Sequence, residues 1–430
     1  MDIKVVELFA GVGGFHVGLN RARDFEVVWA NQWEPSTKTQ HAYNCYINNL
    51  GENENFTNED IAEVWPTTPF HDLLVGGFPC QDYSVARSLQ GELGIQGKKG
   101  VLFWQIMNVV MYRKPKYVLL ENVDRLLKAP ASQRGRDFSV MLASFRDAGY
   151  DVEWRIINAA DYGFAQRRRR VFIFAYKNDS RYAKQQKKLS DEKLLHQEGF
   201  FAPSFPVEET PSSKHYTEPF LLPEDIVEIS DGFSKTYRNS GIMRNGSVTT
   251  NELIPVKKQA KTLGEVVQEV HDKMGLVDES LYLDNSKVNK KGRTEFEEFE
   301  YLKGSKRIER TSKTGHKYIY SEGGMAFPES LDAPGRTMLT SEGTKNRSSH
   351  VIEDPYTKKI RYLSPEECEL LNDFPIGWTD TGMPKRTRYF CMGNALVVGL
   401  IEIMGKRIKE IHKLEEEMLQ KEGFEQHSFL

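Results

Sequence analysis

The sequence has little cysteine, no long apolar run and almost no net charge. Its 430 residues include 4 cysteines, none in a Cys-x-x-Cys pair, which argues against a disulfide scaffold and a zinc site. No apolar run approaches the ~18–20 residues of a membrane-spanning helix. The 58 basic and 61 acidic residues nearly cancel, which argues against a histone-like basic coat but leaves open a nucleic-acid enzyme with its basic groups on one face. The opening residues, MDIKVVELFAG, predict no secretory signal.

Short apolar runs alternate with amphipathic stretches in the first part of the chain. Strands are predicted at residues 3–8, 26–29, 73–75, 117–121, 153–158 and 171–175, and helices at 16–22, 102–112 and 137–148. This alternation predicts an α/β fold with a doubly wound, mostly parallel sheet. Ligands of such sheets bind beyond the carboxyl ends of the strands.

The texture changes after about residue 178, where strand-like pieces become short and polar loops dominate. Structureless loops longer than ~15 residues are uncommon inside a compact domain. We therefore predict a second, smaller and irregular domain over residues 179–356. Residues 1–178 and 357–430 together form the predicted sheet domain, which a segment from the end of the chain completes.

A glycine-rich turn follows the first predicted strand, in the segment Phe-Ala-Gly-Val-Gly-Gly that contains Phe9, Gly11 and Gly13. Glycines let a ligand approach the backbone, and a helix N-terminus offers free N–H groups. The dinucleotide pattern Gly-x-Gly-x-x-Gly fails at His16. The segment therefore fits an adenosyl cofactor better than a pyrophosphate, with a purely structural turn as the alternative.

Polar and aromatic residues follow the next predicted strands. Gln32 or Glu34 offers a hydrogen-bonding group for a ribose, and Trp33 offers a flat apolar surface for a base. Asp60 is a candidate acceptor for an adenine amino group, and Ile61 can cover the face of that base. Each of these residues taken alone also fits a structural role.

Three segments carry candidate catalytic groups. Cys80 lies in Gly-Gly-Phe-Pro-Cys-Gln directly after a strand, where a shaped loop suits a nucleophile, whereas the other three cysteines are interpreted as packing residues. Glu121 ends an apolar strand and suits a carboxyl group that carries a proton, with a helix-capping glutamate as the alternative. In Gln-Arg-Arg-Arg-Arg-Val-Phe, strand alternation places Arg168 and Arg170 on one face.

In this order, these segments resemble the motifs of the C5-cytosine DNA methyltransferase family. The motifs are Phe-Ala-Gly-x-Gly-Gly, Gly-Phe-Pro-Cys-Gln, Glu-Asn-Val and Gln-x-Arg-x-Arg-Val, followed by Arg-Tyr-Leu-Ser-Pro-Glu-Glu, Asp-Phe-Pro and Gly-Asn-Ala. The resemblance covers residues 3–174 and 361–400. It implies a Rossmann-like methyltransferase fold and transfer of a methyl group from S-adenosylmethionine to C5 of a flipped-out cytosine, in a short specific sequence of duplex DNA. Residues 179–356 would then be the target recognition domain.

The resemblance also implies residue roles. The Cys80 thiolate would attack cytosine C6, Glu121 would protonate or hydrogen-bond N3, and Arg170 and Arg168 would hold O2. The implied cofactor site comprises Phe9, Gly11, Gly13, Gln32, Trp33, Glu34, Asp60, Ile61, Pro79, Leu102 and Asn394. Members of the family usually have an acidic residue where this chain has Gln32, so either Gln32 or Glu34 contacts the ribose.

Candidate DNA contacts lie in two groups. By resemblance, Gln81 and Ser84 would contact the vacated base position or a nearby phosphate. Polar loops at residues 238–251 and 340–350 carry side chains suited to base edges or phosphates: Arg244, Thr250, Asn251, Thr344, Asn346 and Arg347. Residues 286–318 hold ten Lys and Arg against five Glu and predict a surface for the DNA backbone.

Two rival functions remain open on the sequence alone. One is a tRNA cytosine-C5 methyltransferase, which shares the catalytic set, and the other is a catalytically silent DNA-binding regulator on the same scaffold. The resemblance further predicts a cytoplasmic monomer, prokaryotic or phage-encoded, without a metal or a membrane partner. A cognate restriction endonuclease is the protein partner that it suggests.

Overall fold

The computed structural model describes residues 2–78, 102–209, 217–312 and 315–428. Their contacts divide the chain into two compact units. Unit 1 comprises Met1–Tyr162, Arg169–Lys258 and Val398–Leu430, and unit 2 comprises Gly163–Arg168 and Gln259–Val397. These units follow contacts alone, so the assignment of target recognition to residues 179–356 stays a prediction.

Unit 1 is built on a ten-stranded sheet within the described residues. Its strands are β1 (Ile3–Leu8), β2 (Phe25–Asn31), β3 (Phe56–Thr57), β4 (Leu73–Gly77), β5 (Tyr117–Val123), β6 (Tyr150–Asn158), β7 (Arg169–Lys177), β8 (Phe220–Leu221), β9 (Ser240–Arg244) and β10 (Ser247–Asn251). Their order is β3-β2-β1-β4-β5-β7-β6-β9-β10-β8. The first five strands in this order are parallel, and every later pairing is antiparallel. The predicted α/β sheet fold is confirmed, with an antiparallel half added to the parallel one.

Helices of unit 1 cover the sheet and bury its apolar faces. They are α1 (Gly14–Ala22), α2 (His41–Leu50), α3 (Ile61–Val64), α4 (Leu102–Arg113), α5 (Arg136–Asp147), α6 (Arg181–Gln186), α7 (Asp191–Lys193) and α8 (Ile226–Gly232). Side chains of the central strands, such as Leu74, Val118 and Ile173, are almost fully buried. Strands buried on both faces have continuous apolar sequences, which explains why these strands could be located in advance.

Unit 2 has little regular structure. Its elements are α9 (Leu263–Met274), α10 (Glu295–Lys303), β11 (Lys306–Thr311), β12 (Lys317–Glu322), β13 (Val351–Glu353), β14 (Ile360–Tyr362), α11 (Pro365–Leu371) and α12 (Lys385–Asn394). Both of its sheets, β11-β12 and β13-β14, are two-stranded and antiparallel.

Buried ion pairs hold the irregular segments of unit 2 together. Lys303 Nζ lies 3.0 Å from Glu329 Oε1, and the guanidinium of Arg336 reaches the same carboxylate at 2.5 Å. Arg361 forms a bidentate pair with Glu367, with distances of 2.8 Å from Nη1 and Nη2 to the two carboxylate oxygens. Removing one partner of such a pair leaves an uncompensated buried charge, so these contacts fix the arrangement of the chain.

The last helix, α13 (Val398–Ser428), belongs to unit 1 and packs against α1. Lys409 Nζ donates to the carbonyl oxygen of Ala22 at the end of α1 and pairs with Asp24, at 2.9 Å in each case. In the described part of the chain, no single helix is long and apolar enough to cross a membrane. One bent pair, Lys385–Asn394 with Val398–Lys421, passes that test by length and composition alone.

Candidate active site

The turn after β1 uses backbone conformations that side chains rarely adopt. Phe9, Gly11 and Gly13 have φ angles of 56°, 58° and 90°. A Cβ on Gly13 would lie 2.7 Å from Cδ1 of Leu50 and 3.2 Å from the Tyr46 ring, so a side chain there would add crowding to the strain of the positive φ. A Cβ on Gly11 would meet nothing within 4 Å. The turn therefore leaves open space directly beside the Gly11 backbone.

The two candidates for the ribose contact have different partners. Gly11 N–H donates to Gln32 Oε1 at 2.7 Å, which ties the Gln32 side chain to the glycine turn. One oxygen of Glu34 accepts from the main-chain N–H of Ala42, at 3.3 Å, in the first turn of α2. Between them, Trp33 is 37% exposed. The turn thus occupies one of the two lone pairs of the Gln32 oxygen, while the described residues donate a hydrogen bond to only one of the two Glu34 carboxylate oxygens.

Asn31 joins three segments at the end of β2. Its carbonyl oxygen accepts from Ala10 N–H at 3.0 Å, and its side-chain amide donates to the carbonyl oxygen of Glu59 at 2.9 Å. Asp60 follows directly and caps α3, accepting from a main-chain N–H at 3.0 Å through Oδ1. Ile61 is buried. The ends of β1, β2 and β3, and with them the predicted cofactor residues of these segments, therefore lie at one edge of the sheet.

A buried hydrogen-bond chain beneath the glycine turn went unnoticed in the sequence. The Tyr46 hydroxyl of α2 donates to Glu7 Oε2 at 3.0 Å and lies 2.7 Å from Nδ1 of His16 on α1. Burial raises the pKa of Glu7 to about 8, although hydrogen bonds from Tyr46 and the His16 backbone lower it. Burial also lowers the pKa of His16 to about 4. At neutral pH the side chains of Glu7, Tyr46 and His16 are therefore mostly uncharged, and their hydrogen bonds link β1, α1 and α2.

Glu121 and Arg170 form an ion pair where β5 and β7 lie side by side. Nε of Arg170 is 2.7 Å from Glu121 Oε1, and both side chains are largely buried. The antiparallel register pairs Val123 with Arg170, which puts the two charged side chains on the same face. A Cβ on Gly77 of the neighbouring strand β4 would lie 3.2 Å from Glu121 Oε2, so Gly77 leaves room for the carboxylate.

The strand end that carries Glu121 is also bonded to the segment before the predicted nucleophile. The buried side-chain amide of Asn122 donates to the carbonyl oxygen of Phe78 at 2.8 Å. Residues 79–101 lie outside the described part of the chain, and with them four predicted site residues: Pro79, Cys80, Gln81 and Ser84.

The two predicted catalytic arginines have different surroundings. Strand β7 begins at Arg169, so the alternation that was to put Arg168 and Arg170 on one face does not extend to Arg168. The fully buried Arg168 belongs to unit 2, where Nη1 donates to the Met338 carbonyl oxygen at 3.1 Å and Nη2 to that of Gly393 at 2.9 Å. These bonds favour a structural role, and a contact between Arg168 and cytosine stays a prediction.

The other two predicted cofactor residues lie at the ends of helices, one at the start and one at the finish. Leu102 is the first residue of α4 in unit 1 and packs, half-buried, against the apolar core. Asn394 is the last residue of α12 in unit 2 and is exposed. Their contacts with a cofactor stay predictions.

The segment 238–251, predicted as a polar loop, forms strands β9 and β10 of the large sheet. This expectation was wrong because the sequence signal at Asn245 and Gly246 was missed. Both residues have positive φ, 49° and 84°, and they connect two strands whose end residues are paired directly. Asn-Gly between alternating residues is the typical two-residue hairpin turn.

The side chains predicted to read DNA in this hairpin are bonded within unit 1. Arg244 forms an ion pair with Asp191, and the Thr250 hydroxyl donates to the carbonyl oxygen of Ser240 at 2.7 Å. Thr250 and Asn251 are both buried. A role of these three residues in reading bases stays a prediction, while their contacts stabilise the hairpin.

The second predicted reading loop, residues 340–350, is bonded in the same way within unit 2. The Asn346 side-chain amide donates to the Ser341 carbonyl oxygen, the Thr344 hydroxyl and the Ser349 hydroxyl, at 2.8, 2.9 and 3.1 Å. Arg347 donates to main-chain carbonyl oxygens of neighbouring segments, at 2.6 and 3.0 Å. These side chains hold the loop in shape, and base contacts by Thr344, Asn346 and Arg347 stay predictions.

Comparison with known proteins identifies the family. The sequence model of the C-5 cytosine-specific DNA methylase family matches residues 3–410. The chain belongs to this family. Its members transfer a methyl group to C5 of cytosine in DNA, so this C-5 cytosine-specific DNA methylase is a DNA methyltransferase, as the motifs predicted.

Two curated relatives show how far the likeness extends. The Type II methyltransferase M.Sau3AI of Staphylococcus aureus is 52% identical over 417 residues, which cover 96% of this methylase and 97% of the relative. The Type II methyltransferase M.HhaI of Haemophilus parahaemolyticus is 32% identical over 178 residues, 41% of this methylase and 50% of the relative. The first likeness thus extends through the irregular middle of the chain, residues 179–356.

Solved structures support the fold alone. A mutant DNMT2 of Spodoptera frugiperda superposes with a TM-score of 0.55 at 13% identity, covering 94% of this methylase and 99% of that chain. The Dnmt2 methyltransferase of S. pombe gives 0.53 at 15% identity, covering 97% and 99%. Among the described residues of the methylase, no cluster of three or more His, Cys, Asp or Glu side chains is placed to hold a metal ion.

Proposed function

We propose that S-adenosylmethionine is the methyl donor and binds where the glycine turn meets the ends of β2 and β3. Three observations support this site: the open space beside Gly11, the exposed face of Trp33, and the Asp60 carboxylate. Only Oδ1 of Asp60 is bonded among the described residues, so its second oxygen can accept from an adenine amino group. When bound, S-adenosylmethionine supplies an electrophilic methyl group.

Within this site we assign the ribose contact to Glu34 and the shaping of the turn to Gln32. Ribose hydroxyls are hydrogen-bond donors as well as acceptors, and a carboxylate accepts from them strongly. The Gln32 oxygen already accepts from Gly11 N–H at 2.7 Å, whereas Glu34 is held only at one oxygen. Glu34→Gln should weaken S-adenosylmethionine binding in calorimetry, and an unchanged affinity would return the ribose contact to Gln32.

The catalytic centre of the proposal combines Cys80, Glu121 and Arg170. The observation that carries it is the 2.7 Å ion pair of Glu121 and Arg170 at the end of β5, next to an Asn122 amide bonded to Phe78. Cys80 follows Phe78 by two positions in the sequence, and the motif Gly-Phe-Pro-Cys-Gln of the family gives it the role of nucleophile. In the proposal, this nucleophile and the acid Glu121 act on one base.

In this proposal, the Cys80 thiolate adds to C6 of the cytosine and makes C5 nucleophilic. The ring must then gain a proton or a strong hydrogen bond at N3, which Glu121 donates once its carboxylate, paired with Arg170 in the structure, has taken up a proton. Arg170 holds Glu121 in place and donates to O2, where negative charge develops. After methylation, a base takes the C5 proton, the electron pair of that C–H bond forms the C5–C6 double bond, and the Cys80–C6 bond breaks to release the thiolate. N3 returns its proton to Glu121, which restores a neutral base.

We further propose that the substrate is a short specific sequence in duplex DNA, with the target cytosine flipped out of the stack. Residues 179–356 are assigned target recognition, because this part contains most of the irregular polar segments and the basic surface of residues 286–318. The monomeric state, the cytoplasmic location and a cognate restriction endonuclease stay predictions.

Bisulfite sequencing of a plasmid from cells that express the full chain tests the proposed reaction. We expect protection of one cytosine within a single short motif, and none in cells that express Cys80→Ala. Transfer of labelled methyl groups to tRNA but not to duplex DNA would overturn the proposed substrate. Methylation retained by Cys80→Ala would overturn the covalent mechanism.

A further inference from the structure

Strands β11 and β12 form a ribbon that stands apart from every other sheet in the described structure. The two strands pair only with each other, in antiparallel register from Lys306 opposite Glu322 to Thr311 opposite Lys317. Nearly all of their side chains, on both faces, are exposed. An isolated two-stranded hairpin is marginally stable in water. Packing against a binding partner would therefore stabilise a ribbon whose two faces are both exposed to solvent.

The base of the ribbon is fixed to unit 2. Arg347 pairs with Glu322 at 3.5 Å and donates to the carbonyl oxygens of Leu302 and Gly304, just before β11, at 2.6 and 3.0 Å. Lys306 pairs with Glu322 at 3.6 Å. These contacts hold the first residue of β11 and the last of β12, so the ribbon projects from a supported base.

Basic and flat side chains dominate what the ribbon presents. Its described cations are Lys306, Arg307, Arg310 and Lys317, against the carboxylates Glu309 and Glu322. Both carboxylates are already paired, Glu309 with Lys317 at 3.3 Å and Glu322 at the base. The side chain of Arg307, in contrast to its main chain in the ladder, makes no hydrogen bond or ion pair with any described residue.

Large exposed side chains accompany these cations. Ile308, Tyr318 and Ile319 are exposed, with Ile319 exposed by more than half. The guanidinium of Arg310 lies 3.8 Å from the centre of the Tyr320 ring. The ring thereby orients Arg310 without using its hydrogen-bond donors.

We propose that this ribbon enters a groove of the substrate DNA, and that Arg307 and Arg310 contact base edges or phosphates there. The major groove is about 12 Å wide and admits a two-stranded β-ribbon. Six residues of strand span about 20 Å, comparable to the length of a short recognition sequence. Net positive charge matches the phosphates, and exposed apolar side chains match thymine methyl groups. The inference rests on the proposed duplex DNA substrate.

The experiment compares the full chain with Arg307→Ala/Arg310→Ala in binding a short labelled duplex by fluorescence anisotropy over a range of salt concentrations. The duplex is taken from a plasmid region that the wild-type chain methylates. Lys273→Ala, which removes an exposed cation of α9 in the same unit, is the matched control. Thermal melting and S-adenosylmethionine affinity report on folding and on the cofactor site.

We expect the double variant to bind at least about tenfold more weakly, with a salt slope reduced by roughly one for each phosphate that is no longer neutralised. Melting and cofactor affinity should not change, because neither side chain packs in a core. Arg307→Lys/Arg310→Lys should restore the salt slope and leave site preference weakened if the arginines read bases.

Wild-type-like DNA binding by the double variant, equal to that of Lys273→Ala, would overturn the inference while leaving the proposed function intact. A wild-type chain that neither binds nor methylates duplex DNA would instead overturn the proposed function. A concentration-dependent dimer of the wild type, in sedimentation, that Tyr318→Ala/Ile319→Ser converts to a monomer would assign the ribbon to contact between copies and contradict the inference.

Discussion

Polar and charged side chains occur both at the strand ends of the large sheet and in the loop at residues 340–350, but their hydrogen-bond and ion-pair partners differ. At the edge, the sheet ladder satisfies the backbone, so Glu121 and Arg170 bond to each other and remain suited to a ligand. In the loop there is no ladder, and Asn346 and Arg347 bond to main-chain and neighbouring groups. Buried backbone groups need partners, and irregular chain obtains them from polar side chains. A polar residue is therefore a better candidate for ligand binding at a strand end than in a long irregular segment.

The largest expected effect separates two adjacent arginines at the sheet edge. Arg170→Ala should lower the rate of methyl transfer by about 10²–10⁴-fold, since it removes a group that orients the acid and stabilises charge. Arg169→Ala is the matched control because the Arg169 side chain is 60% exposed and, within the described ranges, forms an ion pair with Asp124 alone, at 3.3 Å. Single-turnover rates with labelled donor measure both variants. An equal loss of rate in the two variants would mean that the buried Arg170 contributes no more to catalysis than the exposed Arg169.

The next prediction concerns the glycine turn, and the control variant is at a glycine with nearly the same φ angle. Gly13 and Gly51 have φ angles of 90° and 89°, but a Cβ would be close to Leu50 only at Gly13. Gly13→Ala should lower the free energy of unfolding by about 1–3 kcal/mol more than Gly51→Ala, because overpacking adds to the strain that both share. Urea denaturation gives the difference, and calorimetry should show weaker S-adenosylmethionine binding for Gly13→Ala alone. Matching values for the two variants would show that the turn tolerates a side chain.

A smaller effect tests the loop side of the comparison. Asn346→Ala removes the hydrogen bonds that the side-chain amide donates and the one that its oxygen accepts from Ser348 N–H at 2.7 Å, and should lower the free energy of unfolding by about 1–3 kcal/mol. The recognised DNA sequence, read by bisulfite sequencing, should stay the same. A changed recognition sequence with unchanged stability would show that Asn346 reads bases. It would contradict the conclusion that polar side chains of this loop are structural.

The smallest effect depends on pH and lies beneath the glycine turn. The pKa of Glu7 rises from 4.5 to about 8 in the folded state, so its contribution to stability is complete below pH 4.5 and is lost as pH rises to about 8. His16, with a pKa lowered from 6.5 to about 4, acts in the opposite sense below pH 6.5. Between pH 6.5 and 8, Glu7→Gln should therefore gain up to about 1.4 kcal/mol per pH unit relative to the wild type. Denaturation at both pH values measures this gain, and parallel pH curves would contradict the buried, protonated state of Glu7.

The parts of the fold that could be predicted are those where one short segment determines the outcome. Continuous apolar runs in the sequence predicted β1, β4, β5 and β7. The glycines after the first run predicted the turn after β1, and two of them, Gly11 and Gly13, have positive φ in the structure. Cys45, Cys368 and Cys391 are buried, as expected of packing residues. The α/β class followed from the alternation of apolar runs and amphipathic stretches, and the family followed from the order of the motifs.

The parts that could not be predicted depend on contacts between segments distant in the sequence. The chain of Glu7, Tyr46 and His16 joins a strand to two helices, and none of these residues stands out locally. Arg168 lies before the start of β7 and bonds to the Met338 and Gly393 carbonyl oxygens, whereas Arg170 lies inside that strand and pairs with Glu121. The hairpin of β9 and β10 was the exception, since its Asn-Gly turn was visible in the sequence and was overlooked.

The central claim is that Cys80 and the Glu121–Arg170 pair act together on C6 and N3 of one cytosine in DNA. Incubation of the full chain and S-adenosylmethionine with a duplex that carries 5-fluorocytosine at the methylated position tests it most directly, because fluorine cannot leave as a proton and the adduct remains. We predict a covalent protein–DNA complex, stable in denaturing electrophoresis, that forms with the wild type, forms much more slowly with Arg170→Ala and is absent with Cys80→Ala. A complex that forms without Cys80, or at an unchanged rate without Arg170, would contradict the account.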